Sequence, residues 1–140
     1  MAGDAITAER AAAIQQLRDA GLRVTGPRLE VLHVLASGEH LDVEALTTAA
    51  RDRLGTLTSQ AVYDMLRHFL ETGLVTKFER PGRPAVFELA TEPHQHALCT
   101  GCGRVANVDL AEPEPRGAAP AGWRQESVEV ILKGRCPDCA

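Results

Sequence analysis

The four cysteines of the chain stand in two pairs with the same spacing, Cys99 with Cys102 and Cys136 with Cys139. Two residues between the members of a pair let both thiolates of one tight turn point at a single ion about 2.3 Å away. Two such turns complete a tetrahedral tetrathiolate site, for which Zn²⁺ is the usual ion. We therefore predict a structural zinc ion bound by these four cysteines. The alternatives are two chance motifs or a redox-active dithiol, and the dithiol lacks the βαβ context of a thioredoxin-like site.

Two histidines, His94 and His96, come just before the first cysteine pair. Residues two apart on an extended segment face the same side, so both imidazoles can reach one ion. His40, Glu88 and Asn107 could add nitrogen and oxygen ligands from other parts of the chain. Such a mixed set suits Fe²⁺ or Mn²⁺, and Zn²⁺ is also an option. The alternative is that the two histidines are merely solvated or lie beside the zinc site without binding a metal.

The elements that position these residues follow from the spacing of apolar side chains. In the first half of the chain this spacing predicts four helices, most of them with a capping residue or a terminating glycine. The predicted helices span residues 8–20, about 27–35, 43–54 and 59–72, and the last of them starts at residue 58 or 59. The expected caps are Thr25 and Asp42, and the expected ends are Gly21, Gly55 and Gly73.

After the fourth helix the apolar residues alternate, which predicts two strands over 74–79 and 85–89 joined by a hairpin loop. Helices followed by a hairpin give the order of a winged helix-turn-helix, in which the fourth helix is the recognition helix. The basic hairpin residues Arg80 and Arg83 could then touch a phosphate or the minor groove of DNA.

The second half of the chain has a different composition. Short β-branched runs at 104–108 and 128–132 each adjoin a cysteine pair, and the stretch 111–122 is too rich in Pro and Gly for a stable helix. We predict a winged-helix DNA-binding domain over 1–89 and a zinc-binding domain over 90–140. The predicted fold class is α+β, with an N-terminal winged helix-turn-helix followed by a small zinc-containing α/β domain.

On the predicted recognition helix, polar side chains lie opposite an apolar stripe at three- and four-residue spacing. Arg67 can pair bidentately with guanine, Gln60 can read adenine, and the ring of Tyr63 can contact a thymine methyl group. Ser59 and Gln60 at the helix start could also hold a phosphate. The alternative is an ordinary solvated helix face.

Composition sets limits on these functions. The chain has 140 residues, a hydrophobic fraction of 44% and a net charge of −4, so DNA binding would need a local basic patch. No run approaches the roughly 18 apolar residues of a membrane span, and residues 1–21 lack the apolar core of a signal peptide. We therefore expect a cytoplasmic protein without membrane contact, in which the cysteines are reduced.

Four motifs, in order along nearly the whole chain, resemble those of the Fur (ferric uptake regulator) family. The segment GLRVTGPR at 21–28 resembles the motif before its second helix, and SQAVYD at 59–64 resembles its recognition-helix motif. HQHALCTGCG at 94–103 resembles its metal-binding segment, and CPDC at 136–139 resembles its last cysteine pair.

The resemblance implies a homodimeric, metal-dependent repressor, not an enzyme, that dimerises through 90–140 and binds double-stranded DNA at an AT-rich palindromic operator. It also implies that Arg23 enters the minor groove and that Tyr63 contacts bases in the major groove. The regulatory Fe²⁺ or Mn²⁺ would be bound by the residues at five positions, His40, Glu88, His94, His96 and Asn107.

Within the family, the chain is most similar to the actinobacterial catalase-peroxidase regulators and to the PerR peroxide sensors. This implies that H₂O₂ oxidises His40 or His94 when Fe²⁺ is bound, so that the operator is released and a catalase gene is derepressed. Asn107 departs from the pattern, because peroxide sensors usually carry an aspartate there and an amide is a weaker ligand. A regulator of iron or manganese supply without peroxide sensing, and a zinc-ribbon interaction module without an operator, are the alternatives.

Overall fold

The computed structural model of the chain describes residues 2–91, 94–109, 117 and 119–140. The chain forms an α+β structure of two compact units, Met1–Ala90 and Thr91–Ala140. This division lies next to the domain boundary placed between residues 89 and 90 from the sequence. In the part of the chain that the structure describes, no helix has the length and apolar character to cross a lipid bilayer.

The first unit contains α1 (Ala2–Asp19), α2 (Gly26–Leu35), α3 (Val43–Leu54), α4 (Ser59–Glu71), β1 (Val75–Arg80) and β2 (Arg83–Leu89). The helices α2 and α3 begin at the predicted caps Thr25 and Asp42, and α4, predicted to start at residue 58 or 59, begins at Ser59 with Thr58 as its cap. Each of these three side chains accepts a backbone N–H from three residues further on. The first helix was predicted to begin at residue 8 and begins at Ala2 instead. Residues 2–7 contain no proline to stop it, and they extend the helix beyond its apolar face.

The core of the first unit is formed by apolar side chains from the helices and the hairpin. On α4, Val62, Leu66 and Phe69 are buried at three- and four-residue spacing, so the opposite face of this helix is left to solvent. The core therefore fixes which side chains α4 presents outward. Its other buried members are Leu17, Leu29, Val31, Leu32, Leu35, Leu46, Ala50, Leu57, Val75 and Phe87.

The antiparallel strands β1 and β2 form the wing, and Gly82 in their turn has a positive φ of 68°. One isolated antiparallel bridge joins Leu41, just before α3, to Phe87 in β2, with N–H···O distances of 3.1 and 2.8 Å. The first unit is thus the winged helix-turn-helix that the sequence predicts.

The second unit contains a three-stranded sheet of β3 (Gln95–Cys99), β4 (Val105–Val108) and β5 (Ile131–Gly134) in the order β4-β3-β5. Of the β-branched run at 128–132, only the last two residues belong to β5. The backbone N–H of Val130 donates to the side chain of Gln95 at 3.2 Å, so the ladder with β3 begins one residue later. The stretch 111–122, predicted to hold no stable helix, lies largely outside the described residues.

Thr58→Ala should destabilise the first unit by removing the cap of α4. The Thr58 hydroxyl accepts the N–H of Ala61 at 3.1 Å, and losing such a cap lowers the free energy of unfolding by about 1 kcal/mol. Urea unfolding followed by circular dichroism measures the change. Thr56→Ala, at an exposed position of the same loop, is the control and should change it by less than about 0.5 kcal/mol. Equal losses in the two variants would contradict the capping role.

Candidate metal centres and nucleic-acid interface

The strands of the second unit position the tetracysteine cluster. Cys99 is the last residue of β3, and Cys102 lies in the turn that follows. Because β5 runs parallel to β3 with Gly134 opposite Cys99, the chain that leaves β5 carries Cys136 and Cys139 to the side of the first pair. The parallel register thus brings together two pairs that are far apart in sequence.

All four Sγ atoms lie within 4.8 Å of one another, and those of Cys102 and Cys136 are 3.7 Å apart. In a tetrahedron with Zn–S bonds of about 2.3 Å, neighbouring sulfurs stand about 3.8 Å apart. The backbone N–H groups of Cys102 and Cys136 face the Sγ of Cys99 at 3.5 and 3.3 Å. These donors lower the pKa of the Cys99 thiol to about 5 and so favour its thiolate. The cluster fits a structural zinc ion.

Cys139 is in the opposite electrostatic situation. Hydrogen bonds with the side chains of Cys136, Cys102 and Cys99 raise the pKa of its thiol to about 12. Four adjacent thiols cannot all lose their protons unless a cation lies among them, because the thiolates repel one another. Zinc would remove this conflict, since metal binding and thiol deprotonation are linked.

Gly101 provides the space in which the two turns meet. A Cβ at this position would lie 2.9 Å from the Sγ and 3.0 Å from the Cβ of Cys139. The glycine is therefore required by a close approach between the two cysteine pairs. Gly103 is required for a different reason, because its φ of 80° is in the left-handed region.

Arg104 links the two turns on the surface of the cluster. Its guanidinium donates to the carboxylate of Asp138 at 2.6 Å, and both side chains are more than half exposed. The pKa of Arg104 is raised, first by this hydrogen bond and next by the charge of Cys136. A surface ion pair contributes little to stability. Its positive side chain nevertheless lies where it partly offsets the negative charge of a tetrathiolate zinc site.

His40 and Glu88 meet in the first unit because the Leu41–Phe87 bridge places them opposite each other. The Nε2 atom of His40 is 2.8 Å from Oε2 of Glu88, and the two side chains are only 4% and 8% exposed. Thr76 of β1 donates to the other carboxylate oxygen at 3.4 Å. The pair offers one nitrogen and one oxygen of the kind that Fe²⁺ and Mn²⁺ bind.

Three further predicted ligands lie close together in the second unit. The rings of His94 and His96 are 4.7 Å apart between centroids and are inclined at 62°. Asn107 of β4 stands directly opposite His96 in the antiparallel register, so their side chains share one face of the sheet. The binding of a common ion by these residues stays a prediction.

The outward face of α4 carries the side chains predicted to contact DNA. Tyr63 is 55% exposed, and Gln60 and Arg67 are also exposed. Arg23, in the segment before α2, is exposed, and its carbonyl accepts a hydrogen bond from the side chain of Arg28 at 2.8 Å. These positions are accessible to a nucleic acid.

Two carboxylates that contact this face were missed by the sequence analysis. The hydroxyl of Ser59 donates to Glu44 of α3 at 2.7 Å, and Nε2 of Gln60 donates to Asp64 at 3.1 Å. The four-residue spacing of Gln60 and Asp64 was a usable signal for the second contact. No local signal pointed to Glu44, because its partner lies on another helix.

The two wing arginines have different surroundings. The side chain of Arg80 is only 11% exposed, and its guanidinium lies 3.6 Å from the carboxylate of Asp42 and donates to the carbonyl of Pro84 at 2.8 Å. Arg83 is exposed. Arg80 therefore fastens the wing to the start of α3, and Arg83 is the more accessible of the two to a phosphate.

A winged helix-turn-helix with an exposed polar recognition helix, followed by a unit with a tetracysteine cluster, defines a metal-binding regulator of transcription. Residues 19–132 match the model of the ferric uptake regulator family. The chain therefore belongs to the Fur family. It is a metal-responsive transcriptional regulator and not an enzyme, and regulators of this family bind DNA and are dimers.

Individual relatives agree with this membership. The chain is 39% identical over 134 residues to the transcriptional regulator FurA of Mycobacterium tuberculosis. This match covers 90% of the chain and 88% of FurA. The crystal structure of the Vibrio cholerae ferric uptake regulator is 31% identical with a TM-score of 0.70, over 88% of this chain and 98% of that one. The structure of the Pseudomonas aeruginosa ferric uptake regulator, solved with manganese, is 29% identical with a TM-score of 0.69. The match covers 89% of this chain and 98% of that one.

Gly101→Ala should weaken the tetracysteine site because the added Cβ would meet Cys139 at 2.9 Å. We expect a loss of stability of about 1 to 3 kcal/mol, as for other overpacked sites, together with faster release of zinc to a chelator. Thermal unfolding and a colorimetric zinc-release assay measure the two effects. Gly134→Ala is the matched control, since its Cβ would meet only Leu132, at an ordinary 3.8 Å. Equal zinc release from both variants would show that Gly101 is not required for the close approach.

Proposed function

We propose that this chain is a metal-dependent repressor that acts in the cytoplasm as a homodimer on an AT-rich palindromic operator. The observation that carries the proposal is the nearly buried His40–Glu88 pair, with 2.8 Å between Nε2 and Oε2, in a protein with a separate tetracysteine cluster. A tetrathiolate site holds zinc tightly, whereas nitrogen and oxygen donors suit an exchangeable ion. Two sites of different chemistry allow one metal to maintain the structure and the other to carry a signal.

The regulatory ion of this proposal is Fe²⁺ or Mn²⁺, and its ligands are His40, Glu88, His94, His96 and Asn107. Manganese in the solved Pseudomonas aeruginosa relative supports the choice of metal. The first two ligands belong to the first unit and the others to the second. Loss of an ion bound by these ligands would weaken operator binding.

The DNA contacts of this proposal come from α4, the segment before α2 and the wing. The exposure of Tyr63 and the polar face of α4 support insertion of this helix into the major groove. Because the whole chain has a net charge of −4, the contacts must come from a local set of residues. That set is Arg23, Ser59, Gln60, Tyr63, Arg67, Arg80 and Arg83. To contact DNA, Arg80 would have to release Asp42 and the carbonyl of Pro84.

We further propose that peroxide is the inducing signal and that the target is a catalase or another peroxide-defence gene. When bound, Fe²⁺ would catalyse cleavage of the O–O bond of H₂O₂ with no net change in its own oxidation state, and the imidazole would be the group that is oxidised. One oxygen atom from the peroxide would be added to the ring of His40 or His94, with water as the other product. The oxidised imidazole would bind metal less well, and the operator would be released. The resemblance of the recognition segment QAVYD at 60–64, and of the Pro- and Gly-rich stretch at 111–122, to those of peroxide sensors supports this proposal.

A regulator that responds only to iron or manganese supply is the second candidate. Asn107 favours it, because an amide is neutral and leaves Glu88 as the one carboxylate among the five proposed ligands. A site with fewer charges holds a divalent cation less tightly, so occupancy would follow the supply of the metal more directly.

His96→Ala should uncouple operator binding from the metal. We expect the Mn²⁺ concentration for half-maximal binding of a selected AT-rich palindrome to rise by about 10- to 100-fold or more, because a ligand is lost. Gel shifts over a Mn²⁺ series measure this. His33→Ala is the control, since His33 contacts Glu9 at 2.8 Å within the first unit and is outside the proposed ligand set. If the wild-type protein bound the palindrome equally well without Mn²⁺, the proposal that these ligands form a regulatory site would be contradicted.

Peroxide sensing should leave a mark on a specific peptide. After H₂O₂ treatment of the Fe²⁺-loaded protein, we expect the mass of one added oxygen atom on the peptide that contains His40 or His94, measured by peptide mass spectrometry. The Mn²⁺-loaded protein is the control and should show no addition. Oxidation of cysteines alone, or no oxidation, would rule out peroxide sensing by these histidines and favour the second candidate.

A further inference from the structure

The hydrogen bond between Gln60 and Asp64 on α4 has a consequence for base recognition. Nε2 of Gln60 donates to Oδ1 of Asp64 at 3.1 Å, across one turn of the helix. The core uses the opposite face of α4, through Val62, Leu66 and Phe69, so the contact is not needed to bury this helix. A carboxylate on the face assigned to DNA repels phosphates and so lowers the affinity for DNA. This loss of affinity indicates that the carboxylate has a role in recognition.

The contact fixes the orientation of the Gln60 amide. A carboxylate has only acceptor atoms, so the group of Gln60 that faces Asp64 must be the NH₂, and Oε1 must point away. An unrestrained glutamine can turn its amide over and offer either a donor or an acceptor at the same place. Beside Asp64 this rotation would bring two oxygens together, and it is therefore unfavourable.

An amide fixed in this way distinguishes the purines. Adenine presents an N6 amino group and an N7 acceptor in the major groove, whereas guanine presents two acceptors, N7 and O6. Oε1 of Gln60 can accept from the adenine amine, and the second N–H of the amide can donate to N7. Guanine would instead place its O6 against Oε1 of Gln60, where two acceptors meet and no hydrogen bond can form.

We propose that Asp64 is a positioning residue that makes Gln60 read adenine and reject guanine at one base pair of each operator half-site. The inference rests on the proposed function, because it requires α4 to lie in the major groove. It assigns a specificity role to a residue that makes no base contact of its own, and it explains a negative charge on a DNA-facing surface.

Selection from a randomised duplex library by the full-length, Mn²⁺-loaded protein tests the proposal, followed by competition between duplexes that differ only at the Gln60 position. We expect the wild-type protein to prefer adenine over guanine there by about 5- to 100-fold. Asp64→Ala should reduce this preference to about threefold or less. Asp64→Asn should keep most of it, because the Asn oxygen can still accept from Gln60.

Two further variants separate positioning from charge. Gln60→Ala should lose the same preference, and adding Asp64→Ala to it should change the preference no further. Glu71→Ala removes one negative charge from the exposed end of the same helix, so it shows any general gain in affinity without a change in base preference. Thermal unfolding checks that every variant is folded.

Unchanged base preference in Asp64→Ala would overturn the inference while leaving the proposed function intact. Loss of the preference in Asp64→Asn as well would also overturn it, because charge and not the hydrogen bond would then be responsible. A wild-type protein that selects no sequence in the presence of Mn²⁺ would overturn the proposed function and this inference together.

Discussion

The second unit depends on the parallel pairing of β3 with β5 and on the four sulfurs that this pairing brings together. Its strands are four or five residues long, and among its described side chains only Leu98, Cys99 and Val105 are buried apolar ones. Within the single chain, this is a small core for the conformational entropy that ordering the unit costs. Structural zinc contributes roughly 10 kcal/mol or more to the folding of small metal-binding domains, which is the size of contribution that such a unit needs.

The first unit has the opposite balance, because a large apolar core holds its helices and its wing. That core fixes α4 so that Tyr63 and its polar neighbours face outward, and the Arg80–Asp42 contact fastens the wing to the start of α3. The Leu41–Phe87 bridge belongs to the same framework and brings the nearly buried His40 and Glu88 together. The first unit therefore holds the DNA-facing side chains in place with its own core, whereas the second unit brings together four sulfurs that fit a zinc ion.

Features that depend on local sequence could be predicted, and those that depend on long-range contacts could not. The caps Thr25 and Asp42 and the two cysteine pairs act over about three residues, so the local sequence identified them correctly. The start of β5 depends on a side chain of β3, and the need for Gly101 depends on Cys139. His40 and Glu88 were candidate ligands from the sequence, but their direct pairing depends on a bridge between Leu41 and Phe87, which are far apart in the chain.

Separate roles for zinc and the exchangeable ion are tested most directly on a single sample of the protein. Operator binding is measured before EDTA treatment, after it, and after Mn²⁺ is added back, while native mass spectrometry counts the zinc and manganese ions on each chain. We predict that one zinc ion per chain survives the treatment, and that operator binding is lost and then returns with Mn²⁺. Operator binding that persists without an exchangeable ion, or that follows the zinc content alone, would contradict the two-metal mechanism.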